Sequence, residues 1–211
     1  STEARLRDAI EAEEFELNYQ TVVDASTRLP CGVEALVRWR HPTEGLIGPE
    51  QFIPLAEKTD LIVPLGEWII QQACKDAATW PDHIKVAINI SAVQFSKANL
   101  FDVILCALVE TGLAPDRLEL EITEATLLKN QEANLTTIRQ LKNLGISMVL
   151  DDFGTGVSSA NYLSAFPFDK IKIDRSFTQG AIARRDCRAV VASTLALARE
   201  LGTLTTAEGI E

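Results

Sequence analysis

Four segments of period two, each gathering its polar residues on one side against apolar residues on the other, constrain this chain more than any other feature. In Leu118-Glu119-Leu120-Glu121-Ile122 three apolar residues share one face and two acids the other. Ala87, Asn89 and Ser91 oppose Ile88 and Ile90, while in Ile171-Lys172-Ile173-Asp174 a lysine and an aspartate oppose two isoleucines. Between Val33 and Trp39, the residues Glu34, Leu36 and Arg38 oppose Val33, Ala35, Val37 and Trp39. A surface sheet would simply solvate such a face. Strands covered by helices have no solvated side, so their polar residues need an interior mouth in which to gather.

Helical stretches do separate the strands. Thr2 to Glu14 reads as a helix from its Leu6, Ile10 spacing, followed by a strand Phe15 to Val23, a polar turn Asp24 to Pro30 and a strand Gly32 to Arg40. A helix starts at Gly48-Pro49-Glu50 and runs to Lys58, and another follows Pro64 towards Trp80. From there the alternation is regular: strand Lys85 to Ser91, a helix ending at Gly112, strand Leu118 to Thr123, a helix ending at Gly145. Strands Ile146 to Asp152 and Phe168 to Asp174 follow, then a helix Asp186 to Leu201 closed by Gly202 and a strand Leu204 to Glu208. This order predicts an α/β fold with parallel strands. An open doubly wound sheet and a barrel both satisfy it; polar residues collecting on one side of several strands favour a TIM-like barrel. No internal repeat or low-complexity segment is visible.

Composition narrows the chemistry. At 211 residues and 46% hydrophobic, the chain can bury one domain's core without disulfides or structural metals. It has no apolar run long enough to span a membrane, and its charged start, Ser1 to Glu14, is unlike an export signal; a cytoplasmic location is expected. Cys31, Cys74, Cys106 and Cys187 lie in apolar segments without C-x-x-C spacing and read as reduced core residues. Acids outnumber bases 30 to 20, a net charge of -10 that repels bulk DNA. A phosphate-bearing substrate would need bound cations to reverse that field locally. His41 and His83 occupy turn-like contexts and read as surface residues, so any metal here should have oxygen ligands.

The stretch Ile146 to Gly156 ends an apolar strand in two adjacent carboxylates, Asp151 and Asp152, before a glycine-rich turn. Two ionised acids there repel each other unless a cation lies between them; a helix N-cap is the plainer alternative. Collected by face, the candidates are Glu34, Asn89, Glu121, Asp151, Asp152, Lys172, Asp174 and Glu208. Carboxylates with one amide oxygen make a hard site suited to Mg²⁺ or Mn²⁺. A metal pair can stabilise the attacking and leaving oxygens of a phosphoryl displacement, and Lys172 adds positive charge. A lysine among acids also describes an ordinary salt-bridge network, so the convergence rather than any one residue carries the reading.

Glu34-Ala35-Leu36 followed by Val37-Arg38-Trp39, then Asn89-Ile90-Ser91, Glu121-Ile122-Thr123-Glu124, Asp151-Asp152-Phe153-Gly154-Thr155-Gly156, Lys172-Ile173-Asp174 and Ala207-Glu208-Gly209 resemble, in order, the signature motifs of the EAL-domain cyclic di-GMP phosphodiesterases. The resemblance covers essentially the whole chain and implies a (β/α)8 barrel of the TIM type with an antiparallel first strand. It implies that Glu34, Asn89, Glu121 and Asp151 hold one metal ion and that Asp152 and Glu208 complete a second site beside Asp151. It also implies that Lys172 orients or activates the attacking water, with Asp174 near it, and that Glu208 is a further catalytic residue. Gln20, Glu34, Leu36 and Arg38 match positions that contact the dinucleotide, and Glu124 matches the acid that holds the loop Asp152 to Ser159. The implied reaction is hydrolysis of cyclic di-GMP to linear pGpG with Mg²⁺ or Mn²⁺, in a bacterial, cytoplasmic, often dimeric protein, often fused to a cyclase-like or sensory domain.

Val157 and Ala160 stand where the family usually has a tyrosine and a leucine. The family also continues past the position of Glu211 with a helix, a strand and a final helix, so residues 1–211 are expected to be a single EAL domain lacking its last strand and helices. Two rival functions are a catalytically silent cyclic di-GMP receptor and an acid-lined barrel of the enolase type using Lys172 as a base.

Overall fold

The structure, a computed structural model, describes residues 2–153 and 165–210. It comprises two compact units, Ser1–Glu119 and Leu120–Glu211.

The first unit begins with α1 (Thr2–Glu11), which buries Leu6 and Ala9. The helix stops before the expected Glu14 because Glu13 turns into the left-handed region (φ 55°). Glu14 is thereby released to accept hydrogen bonds from Trp39 Nε1 at 3.0 Å and Arg5 Nη2 at 2.5 Å. Strands β1 (Phe15–Val23) and β2 (Pro30–His41) form an antiparallel hairpin with Phe15 opposite Trp39 and Gln20 opposite Glu34. A short strand absent from the sequence reading, β3 (Gly45–Ile47), pairs with the end of β2. Strand β4 (Lys85–Asn89) runs parallel to β2, with Glu34 beside Ala87.

On the other face of the hairpin lie α2 (Pro49–Lys58) and α3 (Ile62–Ala77). Phe15 is the centre of an aromatic cluster, its ring 5.8 Å from Trp39, 5.5 Å from Phe52 and 6.3 Å from Trp68. Phe52 is 1% exposed, and burial of a side chain of that size stabilises by about 1.5–3 kcal/mol. The single helix expected up to Gly112 is two, α4 (Ala92–Lys97) and α5 (Leu100–Thr111). Ala98 adopts an extended conformation that breaks the run, and Asn99 caps the second helix. The buried Arg117 then donates to the carbonyls of Ala77, Trp80, Pro81 and Ile84 at 2.8–3.4 Å, closing the end of α3 onto the loop that enters β4.

In the second unit the strands lie in the order β5 (Leu118–Thr123), β6 (Ser147–Phe153), β7 (Lys170–Ile173), β8 (Leu204–Ala207), β5 starting just before the boundary between the units. β6, β7 and β8 are parallel. The helix expected to end at Gly145 is split into α6 (Glu124–Leu128) and α7 (Gln131–Asn143) at Asn130, whose φ of 130° is incompatible with a helix. β7 is shorter than the expected Phe168 to Asp174, because Asp174 becomes the N-cap of an unanticipated helix, α8 (Arg175–Gly180). Helix α9 (Arg185–Leu201) ends at Gly202, as α5 ends at Gly112, both with the positive φ (67° and 71°) that suits glycine. Met148, Val149, Leu150, Ile171 and Ile173 are all buried. Adjacent residues of one strand are thus covered on both faces, as parallel strands flanked by helices require.

Two composition-based expectations are corrected. Cys74 and Cys187 are buried, but Cys31 and Cys106 are exposed, since Cys31 lies near the outer end of the hairpin and Cys106 on the outward side of α5. His83 is exposed as expected, whereas His41 has a side chain only 12% exposed. Its ring packs edge-on against Trp39 at 5.0 Å and its Nδ1 accepts from the backbone N–H of Glu44 at 3.2 Å.

Candidate active site

Each unit carries part of the residue set singled out by the sequence. In the first, the antiparallel register sets Gln20 opposite Glu34, Asn18 opposite Leu36 and Glu16 opposite Arg38. The side-chain period of two puts these six on one face, while Ala35, Val37 and Trp39 are buried on the other. Gln20 is exposed and Glu34, Leu36 and Arg38 are half-buried. Asn89, at the end of β4, donates from Nδ2 to Glu34 Oε1 at 2.8 Å. Arg38 Nη1 donates to the carbonyl of Val37 at 2.9 Å. This face therefore combines an anion, a cation and amides around one aliphatic side chain.

The second unit gathers a buried ion cluster. Lys172, 3% exposed, donates from Nζ to Glu121 Oε2 at 2.7 Å and lies 2.8 Å from Glu208 Oε1 and 3.7 Å from Asp151 Oδ1. The strands explain the meeting: Lys172 pairs with Thr206, so Glu208, two residues further on, falls on the same side. Burial pushes the Asp151 carboxyl up to about 6, with Lys172 pulling it down and Asp152 and Glu208 pushing it up again. Three carboxylates thus converge on one ammonium.

Asp152 reveals a device that the sequence reading overlooked. Leu150 pairs with Ile171 and Phe153 with Ile173, so Asp151 and Asp152 together stand against Lys172. This is a β-bulge, and Asp152 within it has a φ of 55°, a conformation aspartate tolerates better than most residues. A regular strand would send two adjacent side chains to opposite faces, so adjacent acids serving one mouth already required such an irregularity. The N-cap alternative for this pair does not hold, since β6 continues through both residues to Phe153.

Among the remaining candidates, Asp174 accepts from the backbone N–H of Ser176 at 2.9 Å and caps α8. Glu124 is buried at the first position of α6. The loop it was expected to hold, and with it Gly154, Thr155, Gly156, Val157, Ser159 and Ala160, lies outside the described residues. Glu119, on the same face of β5 as Glu121, lies 3.7 Å from Lys85 Nζ.

Among the described residues no three His, Cys, Asp or Glu are grouped as a metal-holding set; in the second unit Lys172 sits where their carboxylates converge. The donor chemistry nevertheless fits a hard cation: Glu121, Asp151 and Glu208 offer oxygen only, and the raised Asp151 carboxyl marks a place where added positive charge would be stabilising. No helix of the described residues is long and apolar enough to cross a membrane.

A family model described as EAL domain matches residues 3–211. The bifunctional diguanylate cyclase/cyclic di-GMP phosphodiesterase MucR of Pseudomonas aeruginosa is 44% identical over 210 residues, covering 98% of this chain and 31% of that protein. An uncharacterised protein of Sinorhizobium fredii is 45% identical over 206 residues, covering 98% of this chain and 25% of its own length. The chain thus spans about a quarter to a third of the curated relatives it matches. The solved structure of the PaMucR phosphodiesterase in complex with c-di-GMP matches with a TM-score of 0.95 and 42% identity, over 100% of this chain and 87% of that one. The EAL enzyme Bd1971 bound to cAMP and cyclic-di-GMP matches at 0.94 and 33%, over 100% and 59%. The α/β, TIM-like fold expected from the sequence is the fold of these structures.

Proposed function

We propose, because this chain belongs to the EAL domain family, that it hydrolyses cyclic di-GMP to linear pGpG. The observation that supports this most is the buried meeting of Lys172 with Glu121, Asp151 and Glu208. Water adds to one phosphorus, one P–O ester bond breaks, and the leaving oxygen takes up a proton. Lys172, held between Glu121 and Glu208, orients the water and offsets charge developing on the phosphoryl group. Glu208, in contact with Lys172, is the oxygen base that accepts the water's proton, and Asp174 caps α8 just after the strand that carries Lys172. Gln20, Leu36 and Arg38, with Glu34, contact the dinucleotide, Arg38 by attraction to phosphate.

Glu121, Asp151, Asp152 and Glu208 are the residues of the second unit that would hold divalent cations, and the motif resemblance assigns Glu34 and Asn89 as further oxygen donors. Family membership implies divalent metal use in general; we assign Mg²⁺ or Mn²⁺, two ions. Such a cation supplies Lewis-acid charge to the phosphoryl oxygens when bound. The proposal extends to a cytoplasmic homodimer within a longer signalling protein, which light scattering of the intact protein tests for its oligomeric part. The activity is tested by incubating folded protein with cyclic di-GMP and Mg²⁺ or Mn²⁺ and following pGpG by chromatography. Conversion that chelator abolishes is expected. Binding in chelator without any turnover in metal would overturn the enzyme reading in favour of a receptor.

A further inference from the structure

Asp169 stands at the amino end of β7, apart from the groups described so far. It grips one residue of β6 twice: Oδ2 accepts from the backbone N–H of Met148 at 2.8 Å, and Asp169 N donates to Met148 O at 2.9 Å. Its Oδ1 meets Lys142 Nζ of α7 at 2.7 Å, and its carbonyl accepts from the N–H of Leu204, the first residue of β8, at 3.0 Å. One residue therefore ties together the starts of β6, β7 and β8. Towards their other ends those strands carry Asp151, Lys172 and, just past β8, Glu208.

The regular ladder between β6 and β7 is short. Val149 pairs with Lys170 and Leu150 with Ile171, after which the bulge interrupts the register. Two pairs specify little, and a slip of one residue would turn every side chain of β7 to the opposite face, taking Lys172 away from the carboxylates. Asp169 adds a side-chain bond and a backbone bond to the same residue immediately before the first regular pair, where they oppose such a slip. The bulge, which loosens the ladder at the site, thus has a compensating lock at the other end of the strands.

We propose that Asp169 is a positioning residue whose side chain sets the register of β6 against β7 and thereby the meeting of Lys172 with Asp151. It touches neither substrate nor the reacting atoms. The kinetic part of the proposal rests on the hydrolysis reading above; the structural part is independent of it.

The test compares Asp169→Ala, Asp169→Asn and Lys142→Met. Asp169→Ala is expected to lower kcat by about 100-fold with KM changed less than about threefold, since displacements near 1 Å in positioned groups cost on that order. Asp169→Asn keeps an oxygen that accepts from the Met148 N–H and should recover kcat to within about tenfold of the parent. Lys142→Met removes only a partly exposed ion pair and should leave kcat within about threefold. Hydrogen exchange should show the Met148 amide losing protection in Asp169→Ala and keeping it in Asp169→Asn. A merely structural role would instead lower melting temperature while leaving kcat per folded molecule unchanged in all three, and that result overturns the proposal. If Asp169→Ala does not fold, Asp169→Ser replaces it in the same comparison with Asp169→Asn. If the parent itself shows no turnover, the hydrolysis reading fails, and Met148 protection with the Lys172 to Asp151 distance in a crystal structure of the variant still decides the register claim.

Discussion

Glu34 meets Asn89 at 2.8 Å on a face open to solvent, while Glu121 meets Lys172 at 2.7 Å with both side chains 4% exposed. Nearly equal contact lengths do not mean equal consequences. Water around the first pair screens charge and competes for every hydrogen bond, so that face can exchange partners for a ligand at small cost. In the second, removing charge from water is so unfavourable that each group must be compensated by a neighbour, and the cluster stays organised. The exposed face suits recognition; the buried cluster suits charge stabilisation at a fixed point. The Asp151 carboxyl of the cluster and the Asp24 carboxyl of the turn that joins β1 to β2 are shifted in opposite directions.

The largest expected effect breaks the buried cluster. Lys172→Met leaves Glu121, Asp151 and Glu208 facing one another and should destabilise the chelated protein by about 3–5 kcal/mol. It should also lower kcat by about 10²–10⁴-fold. Addition of Mn²⁺ should raise the melting temperature of this variant more than that of the parent, because the cation replaces the lost charge. Parental kcat in Lys172→Met would remove the distinction between the two regions.

Asp151→Asn sharpens it. Burial raises the Asp151 carboxyl from its ordinary value of 3.8 to about 6. The folded state then binds the proton more tightly than the unfolded one, so stability falls as pH rises from about 4 through about 6. In chelator the asparagine variant should lack that decline and be more stable than the parent above pH 6, by about 2–3 kcal/mol as an upper estimate. It should bind Mn²⁺ more weakly at the same time. Equal slopes of stability against pH in parent and variant, measured by denaturant titration, would show that the carboxyl is not perturbed.

On the exposed face the expectation is a change in binding. Arg38→Ala should raise KM by about tenfold, the loss of one charge-assisted hydrogen bond, with kcat within about threefold. A fall in kcat with unchanged KM would mean that Arg38 acts on the transition state and belongs with the buried group.

The parts of this arrangement legible in the sequence are those governed by a period of two. The faces of β2, β4 and β5 followed from their period of two, and the bounds of β1, α2 and β5 agree because Gly, Pro and charged residues flank clean apolar patterns. Breaks that depend on a single backbone angle were not legible: Asn130 and Ala98 split two helices although neither residue type forbids helix. Lys172 was placed on the right face, but its contact with three carboxylates depends on which strands pair, and pairing is long-range. Asp169 gave no motif signal, because its role comes from bonds to Met148, Lys142 and Leu204 that no local spacing encodes.

The smallest expected effect concerns the turn that joins β1 to β2 and so holds Gln20 against Glu34. Asp24 Oδ1 accepts from the backbone N–H groups of Ser26 and Thr27 at 2.9 and 2.8 Å and from the Ser26 hydroxyl at 2.6 Å. These bonds, the Ser26 hydroxyl foremost, lower its carboxyl from the ordinary value of 3.8 to about 2. Here the folded state binds the proton less tightly than the unfolded one. The contribution is therefore fully present above about 4 and is lost as pH falls towards about 2, the reverse of the Asp151 case. The group is fully exposed, so solvent keeps the effect small, and the amides of Ser26 and Thr27 should report it better than global stability. After correction for intrinsic exchange, their protection should fall between pH 4 and pH 2 in the parent. In Asp24→Asn, whose side-chain oxygen still accepts but does not titrate, it should stay flat across that range. Parallel behaviour of the two proteins would mean that the carboxylate does not hold the turn, and that the exposed face keeps its register through the strand pairing of the hairpin alone.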